Sequence, residues 1–222
     1  MASLPPSWCA RCRLWWQWLK LNQFRLTKSF NVVSVTRACI ALIGVSALLG
    51  TPAARAFDAS SSDPIAAQGT LQVAFSPWDD IETLIITAID GAKKQVLVQA
   101  YLLTSKKIAR ALIASQQRDV SVMVLVDAAQ SAKVPSSKAQ DLSLAGIPVW
   151  VETRYQNAHN KVIVIDAGTA NATVITGSYN FTWSAQHKNA ENILIARKNP
   201  MLAARYALNW ERHRQGAIPY KQ

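Results

Sequence analysis

The chain has 222 residues, half of them apolar and 17% charged, with a formal net charge of +11. This composition fits one packed domain with an appendage and excludes a disordered or low-complexity chain. Seven of the 24 basic residues (Arg11, Arg13, Lys20, Arg25, Lys28, Arg37 and Arg55) precede Phe57, and all 13 acidic residues follow it. From Phe57 onward the balance is 17 basic against 13 acidic, or +4, which permits nucleic-acid binding without establishing it. Cys9, Cys12 and Cys39 also precede Phe57. The remainder therefore has no zinc ribbon, disulfide framework or cysteine nucleophile, and the Cys9-x-x-Cys12 pair lacks a second pair to complete a metal site.

Residues 38–49 form an apolar run preceded by basic residues, followed by Gly50-Thr51-Pro52 and then Ala54-Arg55-Ala56. That order predicts a secretory signal cut after Ala56 and an exported protein, periplasmic or secreted. The run is shorter than the roughly 20 residues of a spanning helix, so a permanent membrane anchor through an uncleaved leader is the alternative reading. The expected organisation is a leader over 1–56, a flexible lead-in over 57–69 and a globular domain over 70–222.

Strand-like and helix-like patterns then alternate. Leu71–Phe75 reads as a strand, and Ser76-Pro77-Trp78-Asp79 as a helix start running to about Ala92, with Ile81, Leu84, Ile85, Ala88 and Ile89 inward. Gln95–Tyr101 is a strand, and Ser105–Gln117 a helix with Ile108, Leu112 and Ile113 on its apolar face. Val120–Val126 is continuous enough to be covered on both faces. A helix over 136–145 and strands at Ile147–Val151, Val162–Ile165, Thr173–Thr176 and Asn192–Ala196 follow, and a helix over about Pro200–Arg214 closes the chain. The alternation predicts an α/β fold, a mixed β-sheet sandwiched by helices on both faces. Trp78, Trp150 and Trp210 are expected as core or interface anchors.

The chemistry is concentrated in His159-Asn160-Lys161 with Asp166, Gly177-Ser178-Tyr179-Asn180, and Glu191-Asn192. His159 and Lys161 lie two apart at the entrance to a buried strand and share a side; Ser178 and Asn180 share one after the next strand. An imidazole, an ammonium, a hydroxyl and an amide at one sheet edge suit in-line attack on a phosphodiester. No metal-ligand spacing is present, so charge neutralisation falls to Lys161 and hydrogen-bond donors. Lys106, Lys107 and Arg110, and Lys93 with Lys94, read as solvated helix ends or as a DNA-tracking surface. Trp183 stands close enough to this segment to touch a base or sugar.

At these residues the sequence resembles the phospholipase D superfamily, whose signature is His-x-Lys-x4-Asp followed by Gly-Ser-x-Asn. It is most similar to the small exported bacterial nucleases with a single signature. The resemblance implies that His159 attacks phosphorus to give a phosphohistidine, that Lys161, Ser178 and Asn180 hold the phosphate oxygens, and that no cofactor is needed. It also implies that Glu191 accepts a hydrogen bond from the second ring nitrogen of His159. Asp166 and Gly177 are signature positions; Asp166 is read as structural, tying down the turn Asp166-Ala167-Gly168-Thr169. His187 and His213 are followed by Lys188 and Arg214, so neither rebuilds the signature, and both are read as surface or core residues. Displacement at phosphorus needs an acid opposite the nucleophile, which predicts a homodimer with two copies of His159 face to face. The expected function is a metal-independent, sequence-nonspecific endonuclease acting on DNA or RNA. The alternatives are a lipid head-group hydrolase or transferase and a catalytically silent nucleic-acid-binding module.

Overall fold

The computed structural model describes residues 63–221; the expected signal segment and the start of the lead-in lie outside them. The first strand, β1 (Thr70–Ser76), is followed by the helix α1 (Ile81–Asp90). Next come β2 (Gln95–Ala100), α2 (Lys106–Gln117), β3 (Ser121–Asp127) and two short helices, α3 (Ala128–Lys133) and α4 (Ala139–Leu144). The second half comprises β4 (Val149–Glu152), β5 (Lys161–Ile165), β6 (Thr173–Gly177), α5 (Trp183–His187), β7 (Glu191–Arg197), α6 (Pro200–Gly216) and β8 (Ile218–Pro219).

The strands form one sheet in the order β1-β7-β6-β5-β2-β3-β4-β8. β2, β3 and β4 run parallel, while β5 runs antiparallel to β2, β6 to β5 and β7 to β6. The ends of β2, β3, β4 and β6 and the starts of β5 and β7 consequently share one edge. Alternation then sorts the side chains. Val96, Val98, Val122, Val124, Ile163, Ile175 and Ile193 meet Ile81, Ile85 and Ile89 of α1 and Ile108 and Leu112 of α2. Leu97, Leu125, Val162, Val164 and Val174 face Ala203 and Trp210 of α6. The Trp210 indole also donates to the Val98 carbonyl at 2.9 Å, pinning α6 to the middle of the sheet while burying a large ring. The sheet thus has helices on both faces, as expected.

Three expectations need correction. Ser76 ends β1 and Pro77–Asp79 form a turn, not the first turn of a helix: Asp79 Oδ2 accepts the Phe75 N–H at 2.9 Å. Asp80 is the cap of α1, its Oδ1 accepting the Thr83 N–H at 3.0 Å. The region read as one helix over 136–145 holds only α4, preceded by α3, which Asp127 caps. Trp78 is 82% exposed, so of the core and interface roles expected for it the core role is excluded, whereas Trp210 is buried.

Candidate active site

His159 ends the connection from β4 to β5 and lies exposed at the sheet edge. Its ring rests on Tyr101, with centroids 4.3 Å apart and a 58° tilt. Tyr101 is itself held at two points, its N–H donating to the Asn160 carbonyl at 2.8 Å and its hydroxyl accepting from Gln130 Nε2 at 2.9 Å. Lys161 is the first residue of β5 and is buried, yet its ammonium folds back over the same ring, 4.9 Å from the centroid. It donates to the main-chain carbonyl of His159 at 2.8 Å. The imidazole and the ammonium therefore both approach the Tyr101 ring. Burial pushes the Lys161 ammonium below the ordinary lysine range, and the Glu191 carboxylate opposes that shift.

From the neighbouring strand end come Ser178 and Asn180. The last residue of β6, Gly177, passes so close to β7 that a Cβ there would collide with the Asn192 carbonyl and the Ile193 backbone. Only glycine lets the two strands close up before Ser178 turns outward. Ser178 Oγ donates to Glu191 Oε2 at 2.6 Å and accepts the Asn192 N–H at 3.1 Å. Among the described residues the Asn180 side-chain carbonyl is buried without a hydrogen-bond partner, an unmet acceptor on this loop.

The expected contact between Glu191 and His159 is not formed. Glu191 spends one oxygen on Ser178 and the other on Asn189 Nδ2 at 2.9 Å. Among the described residues neither ring nitrogen of His159 has a hydrogen-bond partner, so both are open at the edge. Asp166 lies at the opposite end of β5 with φ 52°. Its carboxylate does not serve its own turn: it accepts the N–H groups of Lys93, Lys94 and Gln95 at 2.7–3.1 Å and so clamps the α1–β2 connection.

Two further features have no local signal in the sequence. Buried Asp127, at the end of β3, accepts the Ala158 N–H at 2.8 Å, one residue before His159. Glu152, at the end of β4, is 2% exposed and receives His213 Nδ1 of α6 at 2.5 Å and Gln99 Nε2 at 3.1 Å. The His213 ring lies against Tyr155 of the same connection, centroids 5.1 Å apart. Asp127 thus tethers the loop that carries His159 directly, while Glu152 holds the His213 ring against which Tyr155 of that loop rests.

Similarity to known proteins decides the family. The family model described as "Cardiolipin synthase, PLD-like domain" matches residues 85–213, more than half of the chain. A phospholipase D of Rickettsia prowazekii (strain Madrid E) is 37% identical over 143 residues, covering 64% of this chain and 67% of the relative. This chain belongs to the phospholipase D superfamily. A mitochondrial cardiolipin hydrolase of Xenopus laevis is 33% identical over 134 residues, 60% of this chain and 61% of that protein. Among solved structures, the phospholipase D family member Nuc from Salmonella typhimurium superimposes with TM-score 0.64 at 32% identity, covering 69% of this chain and 99% of Nuc. NucT from Helicobacter pylori shares the fold, with TM-score 0.62 at 19% identity, covering 68% of this chain and 99% of NucT. As a phospholipase D superfamily member the protein is a phosphodiester hydrolase. His159, Lys161, Ser178, Asn180 and Glu191 share the edge at which that chemistry can occur.

Proposed function

We propose that this superfamily member is a sequence-nonspecific endonuclease that cleaves DNA or RNA through a phosphohistidine, in a homodimer and without a metal. The observation that carries the reading is the pairing of His159 and Lys161 over the Tyr101 ring. There an open imidazole and a fixed ammonium share one sheet edge with Ser178 and the Asn180 amide. A ring nitrogen of His159 forms a bond to phosphorus while the bond to the leaving oxygen breaks. Lys161 and the Asn180 amide stabilise charge on the non-bridging oxygens. The leaving oxygen takes a proton from an acid on the far side, and water then cleaves the N–P bond, returning the imidazole.

The far-side acid is His159 of a second copy. Support comes from β1, the outermost strand of the sheet among the described residues, which exposes Leu71 (66%), Val73 (59%) and Phe75 (49%) on one side. Phe75 pairs with Asn192, beside Glu191, so this apolar stripe runs up to the catalytic edge, where a two-fold contact would bring two sites together. The basic leader with its short apolar run supports action outside the cytoplasm.

Supercoiled plasmid incubated with the purified protein in excess chelator tests the reading. Nicking by the wild type and none by His159→Ala is the expected result; activity that appears only on added metal overturns it. A lipid head-group hydrolase is the second reading, favoured by the names of the rickettsial and frog relatives and by the exposure of Trp78 and Trp183. Head-group release from phospholipid vesicles faster than DNA turnover would select it.

A further inference from the structure

Beside the catalytic edge lies a groove that the chemistry at His159 leaves unused. It has a volume of about 170 Å³ and is lined by Lys106, Ala109, Arg110, Ile113, Lys138 and Asp141, from α2 and the start of α4. Lys138 is answered by Asp141 at 2.7 Å. Neighbouring Lys107 is answered by Glu82 at 2.9 Å. Lys106 and Arg110 are exposed, and neither has a carboxylate or hydrogen-bond partner among the described residues. Of the three cations that line the groove, Lys138 is paired with Asp141, while Lys106 and Arg110 have no acid of their own.

Their placement works against helix stability. Lys106 and Arg110 are four residues apart, so like charges share one side of α2. Lys106 is also the first residue of α2, where the helix dipole is positive, and the first turn contains no acid. Cations kept in such positions over a concave surface are relieved by an anion that arrives from outside.

The groove adjoins the reacting centre through the chain. The Thr104 and Ser105 N–H groups both donate to the Phe181 carbonyl at 2.9 Å, and Phe181 follows Asn180. The N-terminal cap of α2 is thereby fixed to the loop that bears the Asn180 amide. Lys106 follows Tyr101 by five residues, a span of at most about 18 Å. At about 3.4 Å per step along one strand, that is a reach of roughly five nucleotides.

We infer that Lys106 and Arg110 form a distal phosphate subsite for a nucleic-acid strand whose scissile diester lies at His159. The inference rests on the nuclease reading and specifies how a polymer is held where a small diester is not. The Arg110 guanidinium can grip two phosphate oxygens, Lys106 adds a point charge, and Ala109 and Ile113 offer an apolar floor for a sugar.

The test uses the full protein, a long single-stranded oligonucleotide and the small diester bis(p-nitrophenyl) phosphate. Two double variants are compared with the wild type, Lys106→Gln with Arg110→Gln and Lys106→Glu with Arg110→Glu. Both should keep wild-type kcat and KM on the small diester. On the oligonucleotide kcat/KM should fall at least about tenfold at low salt. The slope of log kcat/KM against log salt should flatten by about 0.7 for each phosphate that the variant no longer neutralises. Wild-type oligonucleotide kinetics and salt slope in both variants overturn the subsite, as does an equal loss on the small diester, which would assign the residues to folding or chemistry. A wild-type protein that hydrolyses the small diester but no oligonucleotide removes the nuclease reading itself, and the subsite with it.

Discussion

The carboxylate of Asp127 accepts the main-chain N–H of Ala158 at 2.8 Å, and Ala158 immediately precedes His159. The second oxygen of Asp127 accepts the Gln130 N–H at 2.8 Å. One buried acid at the end of β3 therefore caps α3 and ties down the loop that carries His159. Asp127→Asn leaves a single acceptor for two N–H groups, so one tether is removed. The expected outcome is a fall in kcat of about 10- to 100-fold on a small diester, with KM changed less than about twofold, because the substrate still binds but the attack geometry slips. A wild-type kcat in steady-state assays would remove the positioning role.

Lys161 supplies a pH signature. Its folded pKa lies below the ordinary lysine value of 10.5, with burial the leading cause. Between the folded value and 10.5 the unfolded chain holds a proton that the folded chain has released, so this group's contribution to stability rises with pH across that window. On the proposed mechanism activity goes the other way, because the ammonium is the form that stabilises charge on the phosphate oxygens. The alkaline limb of the kcat profile should begin below the ordinary lysine range, while urea stability shows no matching loss from this group. Glu191→Gln removes the carboxylate that opposes the shift and should move the limb to lower pH. A limb at the ordinary lysine value in both proteins would contradict the assignment.

Much of this arrangement is legible in the sequence, and the remainder follows a pattern. The alternation of Val and Ile in β2, β3 and β5 marks a sheet covered on both faces, and Ser105 is legible as the start of α2 because its side chain caps the Ile108 N–H locally. The residues at the catalytic edge are legible because their spacing repeats on two neighbouring strand ends. Asp127 is not, because its partner lies 31 positions away and nothing nearby marks it as more than a strand-end acid. His213 is hidden for the same reason, its partner Glu152 lying 61 positions away. Glu191 can be singled out but not paired correctly, since Asn189 and Ser178 take its two oxygens through a turn that periodicity does not describe. The short α3 escapes because six residues are too few to establish a helical period.

The Glu152–His213 pair should be visible in stability. Both side chains are largely buried, 2% and 13% exposed, and the contact is 2.5 Å. His213→Ala leaves Glu152 with only the Gln99 amide, and an uncompensated buried carboxylate costs about 3–5 kcal/mol. Urea unfolding should register that loss. Combining Glu152→Gln with His213→Gln should recover most of it, since no isolated charge remains. A His213→Ala protein within about 0.5 kcal/mol of wild type would mean that the pair contributes little.

The proposed mechanism turns on the imidazole of His159 forming the first bond to phosphorus. The direct measurement is to denature the protein during turnover of a labelled diester in excess chelator and map the label. An acid-labile phosphate adduct on the peptide containing His159, absent from His159→Ala, is the predicted result. Continued turnover with no adduct at position 159, or with label on another residue, would contradict it.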